Sequence, residues 1–192
     1  MAVRGTLDDF KARVQADFAR PNLFQVDLAF PTSIITNTGL TELGKFTVRA
    51  ANLPSSTLGV IEVPFRGRVL KIAGDRTFEP WTITIMNDSK FSLRTAFEVW
   101  VEAIQAANEN FTAASGLGDD QDATGYFADM NVFQLARDVK DGESPKTLKG
   151  YKFYNVFPSN ISAIDLDFGS NDAIEEFTVE LQVQYWTPIA NT

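Results

Sequence analysis

The chain contains no histidine and no cysteine among its 192 residues. Without histidine it lacks the commonest general base, the Ser-His-Asp and Cys-His arrangements, and the usual transition-metal ligand. Without cysteine there are no thiol nucleophiles, disulfides or thiolate metal sites. Long apolar runs are missing too, and nothing approaches the roughly 20 residues a membrane span needs. The stretch Met1–Arg20 carries charges where an export signal needs an apolar segment. The expectation is a protein without a membrane anchor, folded in a cytosol, whose Asn-X-Ser/Thr triplets at Asn87, Asn110 and Asn160 carry no glycan.

Basic residues are scarce in one region. Lys and Arg total 17 against 25 Asp and Glu, a net charge of -8, and none lies between Phe153 and Thr192. Asp165, Asp167, Asp172, Glu175, Glu176 and Glu180 all do. Neutralising a phosphate backbone takes clustered Lys and Arg, so this balance argues against a nucleic-acid binder. The acidic end reads either as a solvated face or as a surface that keeps an anion from sticking. Hydrophobic residues make up 44% and include 16 Phe, enough for a well-filled core or an extensive subunit interface.

Periodicity predicts a single mainly β domain over residues 1–192. Thr6 with Asp9 resembles a cap for an amphipathic helix over Leu7–Phe18, inside an N-terminal arm of residues 1–20 that Pro21 ends. Asn22–Phe30 reads as a strand and the Thr-, Asn- and Gly-rich Pro31–Gly44 as a loop. Further strands are expected around Phe46–Arg49, Ile61–Phe65, Val69–Ile72 and Trp81–Ile85, with turns at Asn52–Ser56, Arg66–Arg68 and Gly74-Asp75. Leu93, Phe97, Trp100 and Ile104 form one stripe of a helix placed at 89–108 and capped by Asn87, Asp88 or Ser89. A Gly- and Asp-rich variable loop follows at 112–128. The last strands are Asn131–Ala136, Leu148–Phe157, Ser162–Phe168 and Glu176–Trp186, the last with Phe177, Val179, Leu181, Val183 and Tyr185 on one face.

Candidate chemistry dissolves on inspection. Gly116-Leu117-Gly118-Asp119 lacks the Lys-Ser/Thr of a phosphate loop and the third glycine of a dinucleotide fingerprint. Asp120-x-Asp122-x-Thr124-Gly125 echoes the start of a calcium loop, but its twelfth position is Asn131 rather than a bidentate Glu. Carboxylate neighbours such as Asp119/Asp120 and Glu175/Glu176 say nothing about separation across a cleft. Trp81, Trp100 and Trp186 sit in apolar periodicity, which favours packing over a sugar platform. No metal, cofactor or catalytic set emerges, and an enzyme is not expected.

Three stretches are more specific. Arg20-Pro21-Asn22-Leu23-Phe24 near the start, the sixteen residues Ala73–Asp88 with Gly74-Asp75-Arg76, Trp81 and Asn87-Asp88, and the end Asn171-x-x-Ile174-x-x-Phe177 closing on Tyr185-Trp186 resemble the major tail tube protein family of contractile-tailed bacteriophages. The resemblance covers most of the chain; the loops Pro31–Gly44 and Gly116–Gly125 depart from it. It implies an antiparallel β-sandwich or split barrel with one flanking α-helix and a short N-terminal helix. Inner sheets of neighbouring copies would join edge to edge into a ring-shaped β-barrel. It further implies a structural virion protein, put together in the host bacterial cytoplasm, whose hexameric rings stack into the inner tube of a contractile tail and conduct the genome through the host envelope. The partners implied are further copies of the chain, the tail sheath outside, and baseplate and tail-terminator proteins at the ends; genomic DNA passes without specific binding.

On that reading Arg20, Asn22, Phe24, Gly74, Asp75, Arg76, Trp81, Asn87, Asp88, Tyr185 and Trp186 serve assembly or turn-locking, and the open question is whether Arg76 finds its partner within the subunit or in the next. The polar face of the last strand, with Glu176, Glu180, Gln182 and Gln184, or the neighbouring strand with Asp165 and Asp167, is expected to line the channel. The Asn52–Phe65 hairpin, with Pro54, Ser55, Leu58 and Ile61, is expected to reach the adjacent ring. The rival readings are the tube of a phage-like injection or type VI secretion system, a baseplate initiator, a calcium- or sugar-binding β-sandwich module, and, last, an enzyme acting through carboxylates.

Overall fold

The computed structural model describes residues 7–13, 18–36, 39–108, 125–137 and 146–189. Among the described residues nine strands dominate: β1 (Phe24–Asp27), β2 (Val48–Ala51), β3 (Ser56–Phe65), β4 (Arg68–Phe78), β5 (Trp81–Met86), β6 (Ala128–Leu135), β7 (Thr147–Ile161), β8 (Glu176–Gln182) and β9 (Tyr185–Ile189). Three helices accompany them: α1 (Leu7–Arg13), α2 (Gly39–Thr47) and α3 (Ser92–Ile104). Seven strands form one antiparallel sheet in the order β1-β6-β7-β8-β5-β2, with β9 on β7, while β3 and β4 pair only with each other.

The large sheet is folded over on itself because β7 serves both halves. Its first part pairs with β6 and β9, and its last part, Phe157–Ile161, pairs with β8. Between them Asn155 takes a left-handed φ of 52° and the register with β6 slips. The bulge frees one backbone N–H, which donates to Asp129 Oδ1 at 3.0 Å, and Lys152 pairs with the other oxygen of that carboxylate at 2.9 Å. A bulge of this kind bends a strand and lets it change sheets. The chain crosses again between β8 and β9, so Glu176–Trp186 is two strands in opposite halves. Phe177, Val179 and Leu181 are buried, whereas Tyr185 is exposed and stacks on Tyr154 at 4.6 Å.

The two inner faces and α3 enclose the core. Val26, Met130, Val132 and Phe153 come from one half-sheet, and Trp81, Ile83, Ile85, Phe177, Val179 and Leu181 from the other. Trp81 stacks on Phe153 at 4.2 Å and so joins them. The helical stripe falls where its period places it: Leu93, Phe97 and Trp100 are buried and Ile104 is partly so. Trp100 donates from Nε1 to the Tyr126 carbonyl at 2.8 Å, which satisfies its one polar atom.

Several expectations need correction. The segment Pro31–Gly44 is not all loop, because α2 begins at Gly39 and runs through Phe46 to Thr47. Leu40, Leu43, Gly44 and Thr47 lie at helical spacing. Gly44 is there for closeness, since a Cβ on it would come within 2.9 Å of Leu28 Cδ1. Ser162–Phe168 is not a strand; residues 162–175 form an irregular loop between β7 and β8. Gly74-Asp75 is not a turn but lies inside β4. The long helix starts at Ser92 and ends at Ile104, inside its expected limits of 89–108. The variable loop gives way to β6 at Ala128. The Thr6 cap, the end of the expected N-terminal helix at Val14–Asp17, and the Gly116–Thr124 motifs lie outside the described residues.

Truncating the stacked pair tests this account of the core. Phe153→Ala is expected to cost roughly 3–5 kcal/mol, read as a fall in the urea midpoint; a loss below 1 kcal/mol would mean the two halves do not depend on that contact.

Candidate assembly surfaces

Most residues of the three specific stretches lock local geometry within one subunit. Pro21-Asn22 forms a turn closed by Leu23 N–H donating to the Arg20 carbonyl at 3.1 Å. The Gln134 side-chain amide then donates to the carbonyls of Arg20 and Leu23, both at 2.6 Å, and ties that turn to β6. Phe24 follows in β1, opposite Gln134, packed against the core. Trp81 is buried, yet its Nε1 reaches the Asn52 carbonyl at 2.8 Å, and Asn52 Oδ1 accepts from Thr82 N–H at 3.3 Å. Asn87 pairs twice with Glu175, through backbone N–H to carbonyl at 2.9 Å and through Nδ2 to Oε1 at 3.2 Å, and so fastens the end of β5 to the chain entering β8. Its Oδ1 is buried without a partner.

Asp88 starts the long helix. Its Oδ1 accepts the Ser92 N–H at 2.7 Å and its Oδ2 the Ser92 hydroxyl at 2.8 Å, across Phe91, which stands at the cap position with a left-handed φ of 54°. Partial burial raises the Asp88 pKa. The hydrogen bonds from the Ser92 hydroxyl and the nearby backbone N–H groups outweigh it and leave the carboxyl below its ordinary value.

The Gly74-Asp75-Arg76 stretch belongs to a long hairpin made of β3 and β4. Leu58 faces Arg76 and Val60 faces Ala73, so Gly74 and Asp75 together oppose Gly59. The two backbones are pressed close at this bulge: a Cβ on Gly74 would lie 3.2 Å from the Gly59 carbonyl oxygen, and one on Gly59 would lie 3.3 Å from that of Asp75. Arg76 lies over the Phe78 ring of its own chain at 5.8 Å, and among the described residues no carboxylate pairs with it. The hairpin root is pinned by Trp186, which packs edge-on against Phe78 at 6.2 Å and against Tyr151 at 5.5 Å, and donates from Nε1 to the Ser55 carbonyl at 3.1 Å.

Beyond that root the hairpin stands alone. The hairpin expected at Asn52–Phe65 is instead Ser56–Phe78, with Pro54 and Ser55 in its approach and Leu58 and Ile61 on its first strand. Phe65 pairs with Arg68, so Arg66 and Gly67 form a two-residue loop with φ of 45° and 81°, the positive pair that a tight hairpin turn of the I′ kind requires. Alternation puts Ile61, Val63 and Phe65 on one face with Leu70 and Ile72. None is covered: Ile61 is 54% exposed, Phe65 67% and Leu70 60%. The alternation of Ile61, Val63 and Phe65 is legible in the sequence, but whether that face is exposed is not written in a period.

The acidic residues divide. Glu176, Glu180 and Gln182 lie on the outward face of β8, with Thr82 and Thr84 beside them on β5, and Arg49 of β2 pairs with Glu176. Gln184 sits in the break before β9. Asp165 and Asp167 are not on the sheet but on the 162–175 loop, where Leu166 is 85% exposed and Phe168 fully so. Among the described residues no group of three or more potential metal ligands occurs, and the calcium-like Asp120-x-Asp122 stretch lies outside them.

The family model described as "Phage tail tube protein" matches residues 19–188. The chain is 34% identical to the tail tube protein gp19 of Enterobacteria phage T4 over 179 residues, covering 93% of this chain and 97% of that protein. It is 27% identical to the tail tube protein of Serratia phage KSP90, with 92% and 93% coverage. Among solved structures it is similar in fold to a chain of the anti-feeding prophage tube-terminating cap, with a TM-score of 0.61, 15% identity, and 91% and 92% coverage. A chain of the PVC sheath-tube complex in its extended state gives a TM-score of 0.56, 16% identity, and 93% and 97% coverage.

Removing the helix-starting carboxylate tests the local account. Asp88→Asn is expected to cost about 1 kcal/mol at pH 7. A depressed native pKa adds stability above the unfolded value near 4 and loses it as pH falls through the native one. The gap between wild type and variant in urea melts should therefore narrow progressively as pH falls below about 4; a gap independent of pH would contradict the role.

Proposed function

The chain belongs to the phage tail tube protein family, and from that premise we propose that it is the structural subunit of the inner tube of a contractile phage tail. Copies close into rings, with six per ring as the expected number, and the rings stack into a tube that carries the genome into the host. One observation of this molecule supports it most: the β3–β4 hairpin, ten residues on its first strand, carries an apolar face left exposed among the described residues. A two-stranded ribbon is marginal in water by itself, and monomers rarely leave such a patch open. Partner copies give both a reason. Sheath protein outside and baseplate and terminator proteins at the ends complete the assembly, which belongs to the virion tail and forms in the host bacterial cytoplasm.

Among the described residues the half-sheet β7-β8-β5-β2 has two unpaired edges, β2 and the end of β7. Pairing one copy's edge with the next abolishes both and builds a continuous barrel. In that barrel the outward face of β8 lines the channel, with Glu176, Glu180 and Gln182 presented to the passing duplex. Carboxylates and amides repel or ignore phosphate, whereas lysines would hold it by counterion release. The tube of a phage-like injection system has the same fold, and the much higher identity to phage tail tube proteins favours the phage.

Electron microscopy of the purified chain tests the assembly. Rings or tubes are expected, and a monodisperse monomer at high concentration would overturn the reading. Shortening the hairpin by removing Val63–Leu70 and joining the strands with Asn-Gly is expected to leave rings or monomers without long tubes. A map of the tube with Glu176 and Glu180 on the sheath side would refute the channel assignment.

A further inference from the structure

The exposed 162–175 loop is not part of the sheet and so has no place in the proposed channel wall. We infer that it is the receptor for the tip of the β3–β4 hairpin of another copy of this chain, an inference that rests on the assembly proposed above.

The two surfaces match in chemistry. The loop presents Leu166, Phe168 and Ile174, all largely exposed, among Asp165, Asp167 and Asp172, with no basic residue from Ala163 to Glu176. Between them lies a cavity of about 370 Å³ lined by residues including Ile164, Leu166, Asp167 and Ile174. The hairpin tip presents Phe65 and Leu70 beside Arg66 and Arg68, while on the opposite face Lys71 pairs with Glu62 at 3.5 Å. Arg66 holds a left-handed turn position where Asn, Asp or Gly would sit at less cost, and its guanidinium lies over the Phe65 ring at 5.4 Å, which sets a cation directly on the apolar anchor at the tip. An apolar anchor ringed by opposite charge on each side is the pattern of a specific contact.

Their placement matters as much. The hairpin root, Phe78, leads into Trp81 at the start of β5, where Trp81 faces Leu181. The loop enters β8 at Glu176, which faces Met86 at the far end of β5. Hairpin and loop therefore leave the β5–β8 pair from opposite ends. Complementary patches at opposite ends make a head-to-tail contact that does not close, which is the geometry of a growing stack. The ten residues of β3 reach roughly 30 Å, enough to bridge to the next copy along.

The native absence of cysteine gives a clean test. Arg66→Cys and Asp167→Cys are combined in one chain, assembled, and treated with a short flexible bis-maleimide. A ladder of covalent multimers on a denaturing gel is expected from the pair and from neither single variant. Separately, Asp165→Lys with Asp167→Lys, or Arg66→Glu with Arg68→Glu, is expected to lower the pelletable tube fraction at least about tenfold at low salt. All four changes together should restore it to within about threefold. Tubes from the cysteine pair without a ladder, a ladder from Arg66→Cys alone, or no rescue by the fourfold variant would each overturn the contact while leaving the tube assignment intact. A wild-type chain that forms neither rings nor tubes would remove the assembly reading itself and this contact with it. Should a charge variant misfold, as judged by its thermal melt, the cross-link decides.

Discussion

Trp81 stacked on Phe153 is the contact on which the rest of the molecule depends. The indole fills the space between two half-sheets that share only β7 as a continuous strand, so their inner faces need a large, flat side chain to bridge them. Its one polar atom is not wasted, because Nε1 holds the Asn52 carbonyl and Asn52 in turn holds Thr82. Asn52 stands just before the hairpin, and Trp186 pins the other side of the same root through Ser55 and Phe78. The core therefore fixes the direction in which the uncovered hairpin leaves the domain.

That connection explains why the specific stretches of this sequence are short locking motifs. An assembly subunit needs surfaces at fixed positions relative to one another, to within the tolerance of side-chain packing. Arg20–Phe24 is fastened to β6 by Gln134, Asn87 to the loop end by Glu175, and Asp88 to the helix start by Ser92. Each is a turn or terminus whose drift would move an edge strand, the loop or the hairpin. The Gly59 and Gly74-Asp75 bulge acts in the same way: two glycines allow the strands to press together where a Cβ would collide with backbone, setting the twist of the arm beyond.

Much of this was legible in the residues. The Trp81-Ile83-Ile85 and Phe177-Val179-Leu181 faces, the Leu93-Phe97-Trp100 stripe and the mainly antiparallel β class follow from periods of two and 3.6, because each element had to bury one side. The errors have physical sources. Pro31–Gly44 looked like loop by composition, yet Leu40, Leu43 and Thr47 kept a helical period and packing against Leu28 outweighed propensity. Ser162–Phe168 alternates like a strand, but its pairing with β8 ends at the first residue, where Ser162 N–H donates to the Thr178 carbonyl at 2.8 Å, and the chain then leaves the sheet. Gly74-Asp75 read as a turn because glycine serves turns and bulges alike.

By itself the sequence determined the absence of histidine and cysteine, the alternating faces, and the family, because those are carried by residue identity and local spacing. Only the tertiary structure decided which faces find a partner. The inner face of β8 is buried in the core, while the equally periodic face of the β3–β4 hairpin is left exposed among the described residues. It also decided that the hairpin and the 162–175 loop sit at opposite ends of one strand pair. Burial and relative placement depend on which distant segments meet, and a strand carries the same period whether its partner lies in the same molecule or in the next.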